Sequence, residues 1–264
     1  MAACAPGQAQ TPANGDRTAA PAVPAVAGSR PVDWLPGAQQ PRNVILILSD
    51  DHRYDFMGFM ESAPDWLETP ALDRMRAEGL HVRNAFVTTS LCSPSRASIQ
   101  TGQYAHRHGV VDNTSPVPPG TRFFPQALQQ AGWRTALVGK WHMGEHSDDP
   151  QPGFDHWVSF QGQGTYTNPT LNVNGRRSLV EGYTTELLTD SAIAWLGRQR
   201  AEGRPFYLQL SHKAVHAEFV PSPEDAGRYA DEAIPYPATM ANTPMSKERA
   251  DVSLRSPRTT SGRV

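Results

Sequence analysis

Between Pro41 and about Arg228 the spacing of apolar and polar residues switches repeatedly between short runs and helical periods, and each switch marks an element. Asn43-Val-Ile-Leu-Ile-Leu48 is a continuous apolar run rich in β-branched residues, bounded by Pro41 and by Ser49-Asp50-Asp51. Such a run predicts a strand buried on both faces, the kind parallel sheets use. Thr69-Pro70, the stretch to Glu78 and then Gly79 supply an N-cap, a proline in the first turn and a terminating glycine, so a helix is predicted there. His81–Val87 reads as a strand, Phe124–Ala131 as a helix closed by Gly132, and Thr135–Val138 as another strand. From Tyr183 to about Arg200, Leu187, Leu188, Ala192, Trp195 and Leu196 recur on one helical face, with Gly203 beyond the end. Pro205–Leu210 is a further buried strand. Strands alternating with helices predict an α/β domain with a mostly parallel central sheet flanked by helices.

The pattern disappears at both ends. Residues 1–41 hold 11 Ala, 7 Pro and 4 Gly, which reads as a flexible leader, and Ser246–Val264 carries five Lys or Arg with no period, which reads as a disordered basic tail. The folded part is therefore expected within 42–245. The 264 residues are ample for a packed core, and 24 basic against 26 acidic residues give a net charge of −2. That balance argues against a nucleic-acid or anionic-membrane binder. No apolar run approaches the roughly 18 to 20 residues a bilayer span needs, so no transmembrane segment is expected. Two cysteines, Cys4 and Cys92, exclude a disulfide scaffold and a Cys-based zinc site.

In open α/β sheets ligands bind beyond the carboxyl ends of the strands, which is where the polar clusters of this chain fall. Asp50-Asp51-His52-Arg53 follows the first strand, Gly139-Lys140-Trp141-His142 the strand at 135–138, and Ser211-His212-Lys213-Ala214-Val215-His216 the last. A fourth cluster, Leu91-Cys-Ser-Pro-Ser-Arg-Ala-Ser98, lies in a polar turn leading into a helix that starts near Pro94. Taken singly, each has an ordinary explanation. Paired aspartates after a strand are commonly turn residues, a lone cysteine is commonly a small buried hydrophobe, and Lys140, His142, His212 and His216 could be structural. Taken together, two carboxylates suited to a hard divalent cation, cationic Lys140 and Arg96, and histidines able to move protons define a site for an oxyanion ester.

Cys92-Ser-Pro-Ser-Arg96 has the Cys-x-Pro-Ser-Arg form of type I sulfatases, within the alkaline-phosphatase-like superfamily. The resemblance extends over Asn43–Asp51, Thr69–Gly79, Thr101–Tyr104, Gly139–Gly144 and Phe206–His216. It implies a formylglycine made from Cys92 by a formylglycine-generating maturation enzyme, whose hydrated aldehyde carries the attacking oxygen and later expels sulfate by collapsing to the aldehyde. It further implies Asp50 and Asp51, with position 92, as ligands of Ca²⁺ (or Mg²⁺). Arg96 would hold the formylglycine, Lys140 would contact sulfate, His142 would be the base that helps the collapse, and His216 would be general acid at the leaving oxygen with His212 nearby. The implied substrate is a small-molecule or oligosaccharide sulfate ester, by analogy a sulfated glycosaminoglycan sugar.

The resemblance is incomplete downstream. Such sulfatases supply a further Asp-Asn or Asp-His metal pair and a second lysine after the His216 block. Here Asp225, Asp231 and Asp251 are followed by Ala, Glu and Val, and Asp112-Asn113 stands too early to take that role. The expectation is an N-terminal portion of a sulfatase. Met1-Ala-Ala-Cys4 resembles the end of a bacterial lipoprotein signal, which would place the protein in the periplasm or outside the cell, anchored at Cys4 if the true start lies upstream. Two other readings stay open: phosphonate or phosphodiester hydrolysis within the same superfamily, and an inactive remnant.

Overall fold

The strands at Arg134–Gly139 (β2) and Phe206–Ser211 (β6) run parallel at the middle of one six-stranded sheet, in a computed structural model that describes residues 43–235. The leader 1–41, Cys4 and the tail 246–264 lie outside the described residues. Val44–Leu48 (β1) pairs parallel with β6 on one side, and His156–Ser159 (β3) pairs parallel with β2 on the other. Thr170–Val173 (β4) and Arg176–Leu179 (β5) continue the sheet antiparallel, giving the order β1-β6-β2-β3-β4-β5. The helices are Pro70–Glu78 (α1), Cys92–Thr101 (α2), Ala105–His108 (α3), Phe124–Gln130 (α4) and Thr184–Glu202 (α5). This is the α/β fold with a mostly parallel sheet that the alternation of runs and periods predicts.

Because side chains alternate along a strand, β2 feeds two cores at once. Ala136 and Val138 join Val158, Phe160, Leu208, Leu210 and the α5 residues Leu188, Ala192 and Trp195. Leu137 points the other way, into a cluster with Ala97 of α2, Val110, Phe123, Trp141, Met143 and Trp157. Each fully buried Leu, Val or Trp side chain contributes about 1.5 to 3 kcal/mol by leaving water, so the strength of the fold is concentrated where β2 and β6 lie under helices on both faces. The α5 face foreseen from its period is the buried one, with Leu188, Ala192 and Trp195 enclosed and Leu187 and Leu196 partly so.

Three expectations need correction. The run 43–48 is not buried on both faces: Val44, Ile45 and Ile47 are each about half exposed, because β1 has a strand neighbour on one side only and no described element covers it. His81–Val87 is not a strand. Alternation supplies a face, but a strand also needs a hydrogen-bonding partner, and this stretch has none among the described residues, leaving Val82 and Phe86 in solvent. The helix expected near Pro94 begins two residues earlier, with Cys92 itself in its first turn.

Candidate active site

Cys92 is the first residue of α2, and the helix entry is built around it. Ser93 donates its backbone N–H to Asn113 Oδ1 (3.0 Å) and its hydroxyl to the His142 carbonyl (2.6 Å). These two bonds fix the first turn against the segment after β2. Arg96, four residues on, falls on the same helical face as Cys92, so the spacing within the signature brings the thiol and the guanidinium to one side. Arg96 is 4% exposed and donates Nη1–H to the Lys140 carbonyl at 2.7 Å. The amide dipoles at the start of α2 favour negative charge next to Cys92.

The strand ends converge on this helix start. Asp50 follows β1, and its backbone is laced to the loop after β6, with its N–H donating to Ala214 O (2.9 Å) and its carbonyl accepting from Val215 N–H (2.8 Å). At the end of β2, Lys140 N–H donates to Ser211 O at 2.7 Å. The approach is possible only because residue 139 is glycine: it has a φ of +113°, and a Cβ there would lie 1.9 Å from the Ser211 carbonyl oxygen. Asp50, Lys140 and His216 are therefore delivered by β1, β2 and β6, side by side.

Their charges interlock. The Lys140 ammonium, fully buried, pairs with Asp50 Oδ2, lies 3.8 Å from Cys92 Sγ and donates to Gln163 Oε1 at 2.6 Å. Arg96 Nη2 stands 3.5 Å from the same Asp50 oxygen, while Asp50 Oδ1 faces Cys92 Sγ at 3.9 Å. Burial pulls the Lys140 and Arg96 pKa values down, and Asp50 opposes this for both. Burial raises the Cys92 thiol, with Lys140 pulling the other way. Leaving either cation without Asp50 would strand a charge in a dry interior, which is far more costly than an unpaired surface charge.

The histidines occupy different environments. His142 is 1% exposed, neither ring nitrogen has a hydrogen-bond partner among the described residues, and burial beside Lys140 and Arg96 pushes its pKa down to about 4. It is neutral at physiological pH and holds a free lone pair. His216 has Nδ1 2.7 Å from Ala217 O, which fixes that nitrogen as the donor and leaves Nε2 facing Asp51 Oδ2 at 3.6 Å. Its loop is held at both ends, by Tyr166 Oη donating to His216 O (2.5 Å) and Tyr183 Oη donating to Val220 O (2.8 Å). His212 is half-buried, its pKa lowered by burial, with its N–H on Leu48 O.

A cavity of about 700 Å³ opens over this arrangement, lined among others by Asp50, Asp51, Cys92, Arg96, Asn113 and His216. Lys140 is buried behind the lining, in contact with Asp50 and Cys92. The structure thus brings together Asp50, Asp51, Cys92, Arg96, Lys140 and His216, with His142 behind them and His212 outside the cavity wall. Ligand atoms of Asp50, Cys92 and His216 lie within 4.8 Å of one another, a spacing that fits one metal ion. Asp112 is spent on the Thr114 and Ser115 hydroxyls and amides of an exposed turn, and Asn113 on capping α2. Gln163 escaped the sequence reading because β3, the strand it follows, was not recognised.

With this geometry in place, the similarity to known proteins is direct: the Sulfatase family model matches residues 42–252, and the chain belongs to that family. It is 36% identical over 201 residues to N-acetylglucosamine-6-O-sulfatase of Bacteroides thetaiotaomicron, covering 75% of this chain and 35% of that protein. It is 32% identical over 235 residues to N-acetylgalactosamine-6-sulfatase of Mus musculus, covering 74% and 45%. A solved structure in complex with its substrate D-glucosamine-2-N,6-O-disulfate superposes with a TM-score of 0.69 at 35% identity, covering 76% of this chain and 40% of that one. The chain therefore spans less than half the length of these relatives.

Proposed function

We propose that the protein hydrolyses a sulfate ester on a carbohydrate, with residue 92 acting as formylglycine. The observation that carries this is the setting of Cys92: its Sγ lies between Lys140 Nζ (3.8 Å) and Asp50 Oδ1 (3.9 Å) at a helix start, beneath an open cavity. The substrate favoured by the names of the similar proteins is a 6-O-sulfated N-acetylhexosamine.

The charges suit that reading. Asp50 and Asp51 balance Lys140 and Arg96, so the site alone has no surplus to attract an anion. A divalent cation at Asp50 and Asp51, beside residue 92 and His216, would leave a net positive site and would withdraw charge from the ester oxygens. Carboxylate oxygens suit Ca²⁺ or Mg²⁺, and Asp50 and residue 92 lie close enough to share one ion. Arg96 and Lys140 hold the sulfate against the nucleophile. Neutral His142 accepts a proton, and the His216 ring, pinned through Nδ1–H, gives the leaving oxygen the Nε2 proton of its doubly protonated form. Among the described residues no helix is long and apolar enough to cross a membrane, and the relatives include a putative extracellular sulfatase from Caenorhabditis elegans, which supports action outside the cytoplasm.

The test compares 6-sulfated and 6-phosphorylated N-acetylglucosamine as substrates for the full chain produced with a formylglycine-generating enzyme and supplied with Ca²⁺. The expected result is faster release of sulfate, lost by at least ~10³-fold in Cys92→Ala, the scale for removing a nucleophile. Faster phosphate release, or sulfate release that survives Cys92→Ala, would overturn the reading.

A further inference from the structure

We infer that Gln163 is the positioning residue that keeps the Lys140 ammonium beside residue 92 while leaving its charge available to an anion. The inference rests on the reading that Lys140 faces the substrate, and it names a residue outside the signature motifs. A lysine ammonium has three hydrogens, and Lys140 directs them to Asp50 Oδ2, Cys92 Sγ and Gln163 Oε1. Two of these partners have other work: Asp50 also faces Arg96, and both Asp50 and Cys92 belong to the group whose spacing fits a metal ion. Any cation that draws on the Asp50 carboxylate weakens its hold on Lys140. Gln163 does not change charge and lies outside that group, so its bond persists. Being neutral, it fixes the ammonium without cancelling it, whereas a carboxylate there would spend the charge on the protein.

The loop around Gln163 is constructed for this contact. β3 is tied to β2 by Ser159 Oγ donating to Gly139 O at 2.8 Å, one residue before Lys140. The chain then turns back over the buried Phe160 ring, with Gly164 N–H on Gln161 O at 3.2 Å. A Cβ at Gly164 would lie 2.4 Å from that ring, so glycine permits the turn that brings Gln163 inward. Beyond it, Thr184 at the start of α5 binds Thr165 O (2.7 Å) through its hydroxyl and Tyr166 O (2.8 Å) through its N–H, rooting the loop on a rigid helix.

The test uses the unmodified full chain and reads charge at Cys92 Sγ through two alkylating reagents, anionic iodoacetate and neutral iodoacetamide, at one fixed pH. Modification is counted on the tryptic peptide Asn84–Arg96, which separates Cys92 from Cys4. The ratio of the two rates cancels the thiolate fraction and the accessibility of the sulfur. Lys140→Met sets the floor for that ratio. Gln163→Met, which removes the acceptor at nearly constant volume, is expected to lower it about threefold, the effect of letting a unit charge drift a few ångström in a partly solvated site. An unchanged ratio in Gln163→Met alongside a fall in Lys140→Met would overturn the inference. Equal loss of both rates in Gln163→Met would mark mere packing and would overturn it too. An unchanged ratio in Lys140→Met would show that this lysine sets no field at residue 92, leaving Gln163 nothing to position. Formation of formylglycine does not enter this assay, so failure here is distinct from failure of the sulfatase reading.

Discussion

β1 and β6 pair residue for residue, and both are apolar runs in the sequence, yet they live in different surroundings. Leu208 and Leu210 of β6 are buried under α5, whereas their partners Ile45 and Ile47 on β1 are about half exposed. α1 continues the contrast, since none of its residues is buried. An apolar run specifies a strand that is able to be covered on both faces; what covers it is decided by other elements. The chain spans less than half the length of its relatives, and β1 is the described sheet edge nearest the cavity. The difference also separates the site's two aspartates. Asp50 is locked into the buried network of Lys140 and Arg96, whereas the Asp51 side chain is 56% exposed.

The sharpest way to break this contrast is at those aspartates. Asp50→Ala should destabilise the chain by about 3 to 5 kcal/mol in urea unfolding, because it leaves Lys140 and Arg96 buried without a counter-charge. Asp51→Ala should change stability by less than about 1 kcal/mol, as expected of an exposed pair. Equal losses would mean that Asp51 is buried in solution, against its exposure here to solvent. The apolar comparison is next in size. Leu208→Ala should cost about 3 kcal/mol and its partner Ile45→Ala about 1 kcal/mol, since half of the isoleucine surface is already in water. A cost at Ile45 matching that at Leu208 would show β1 to be covered in solution.

A smaller effect should appear with pH. His142 has its folded pKa depressed to about 4 from 6.5, so the unfolded chain binds the extra proton between those values. Stability from this residue is complete above about pH 6.5 and drains as pH falls toward 4, by up to about 2 to 3 kcal/mol. Urea midpoints followed between pH 7 and pH 4 should therefore flatten in His142→Gln relative to the parent. A parent curve with the same slope as the variant would refute the buried, neutral assignment.

Much of the site was legible because its residues stand directly after strands or inside one five-residue signature. Asp50, Lys140 and His216 follow β1, β2 and β6, and Cys92 and Arg96 belong to the signature, although a helix expected to start near Pro94 left Cys92 outside the face the two residues share. Gln163 was hidden for a physical reason: β3 spans only His156–Ser159 and its pattern is too short to register, so no strand end flagged the glycine-rich turn after it. The β4–β5 hairpin carried a readable signal that went unused, Asn174-Gly175, both with positive φ, as a two-residue turn requires. His81–Val87 misled in the opposite direction, since alternation cannot report whether a partner strand is present.

The central claim is that Cys92 occupies a sulfatase nucleophile position, and peptide mass spectrometry tests it most directly. The full chain, produced with a formylglycine-generating enzyme, is digested with trypsin and the Asn84–Arg96 peptide is weighed. The account predicts a loss of about 18 Da at residue 92, the conversion of a thiol side chain to an aldehyde. An intact thiol under conditions that convert a known sulfatase would contradict it.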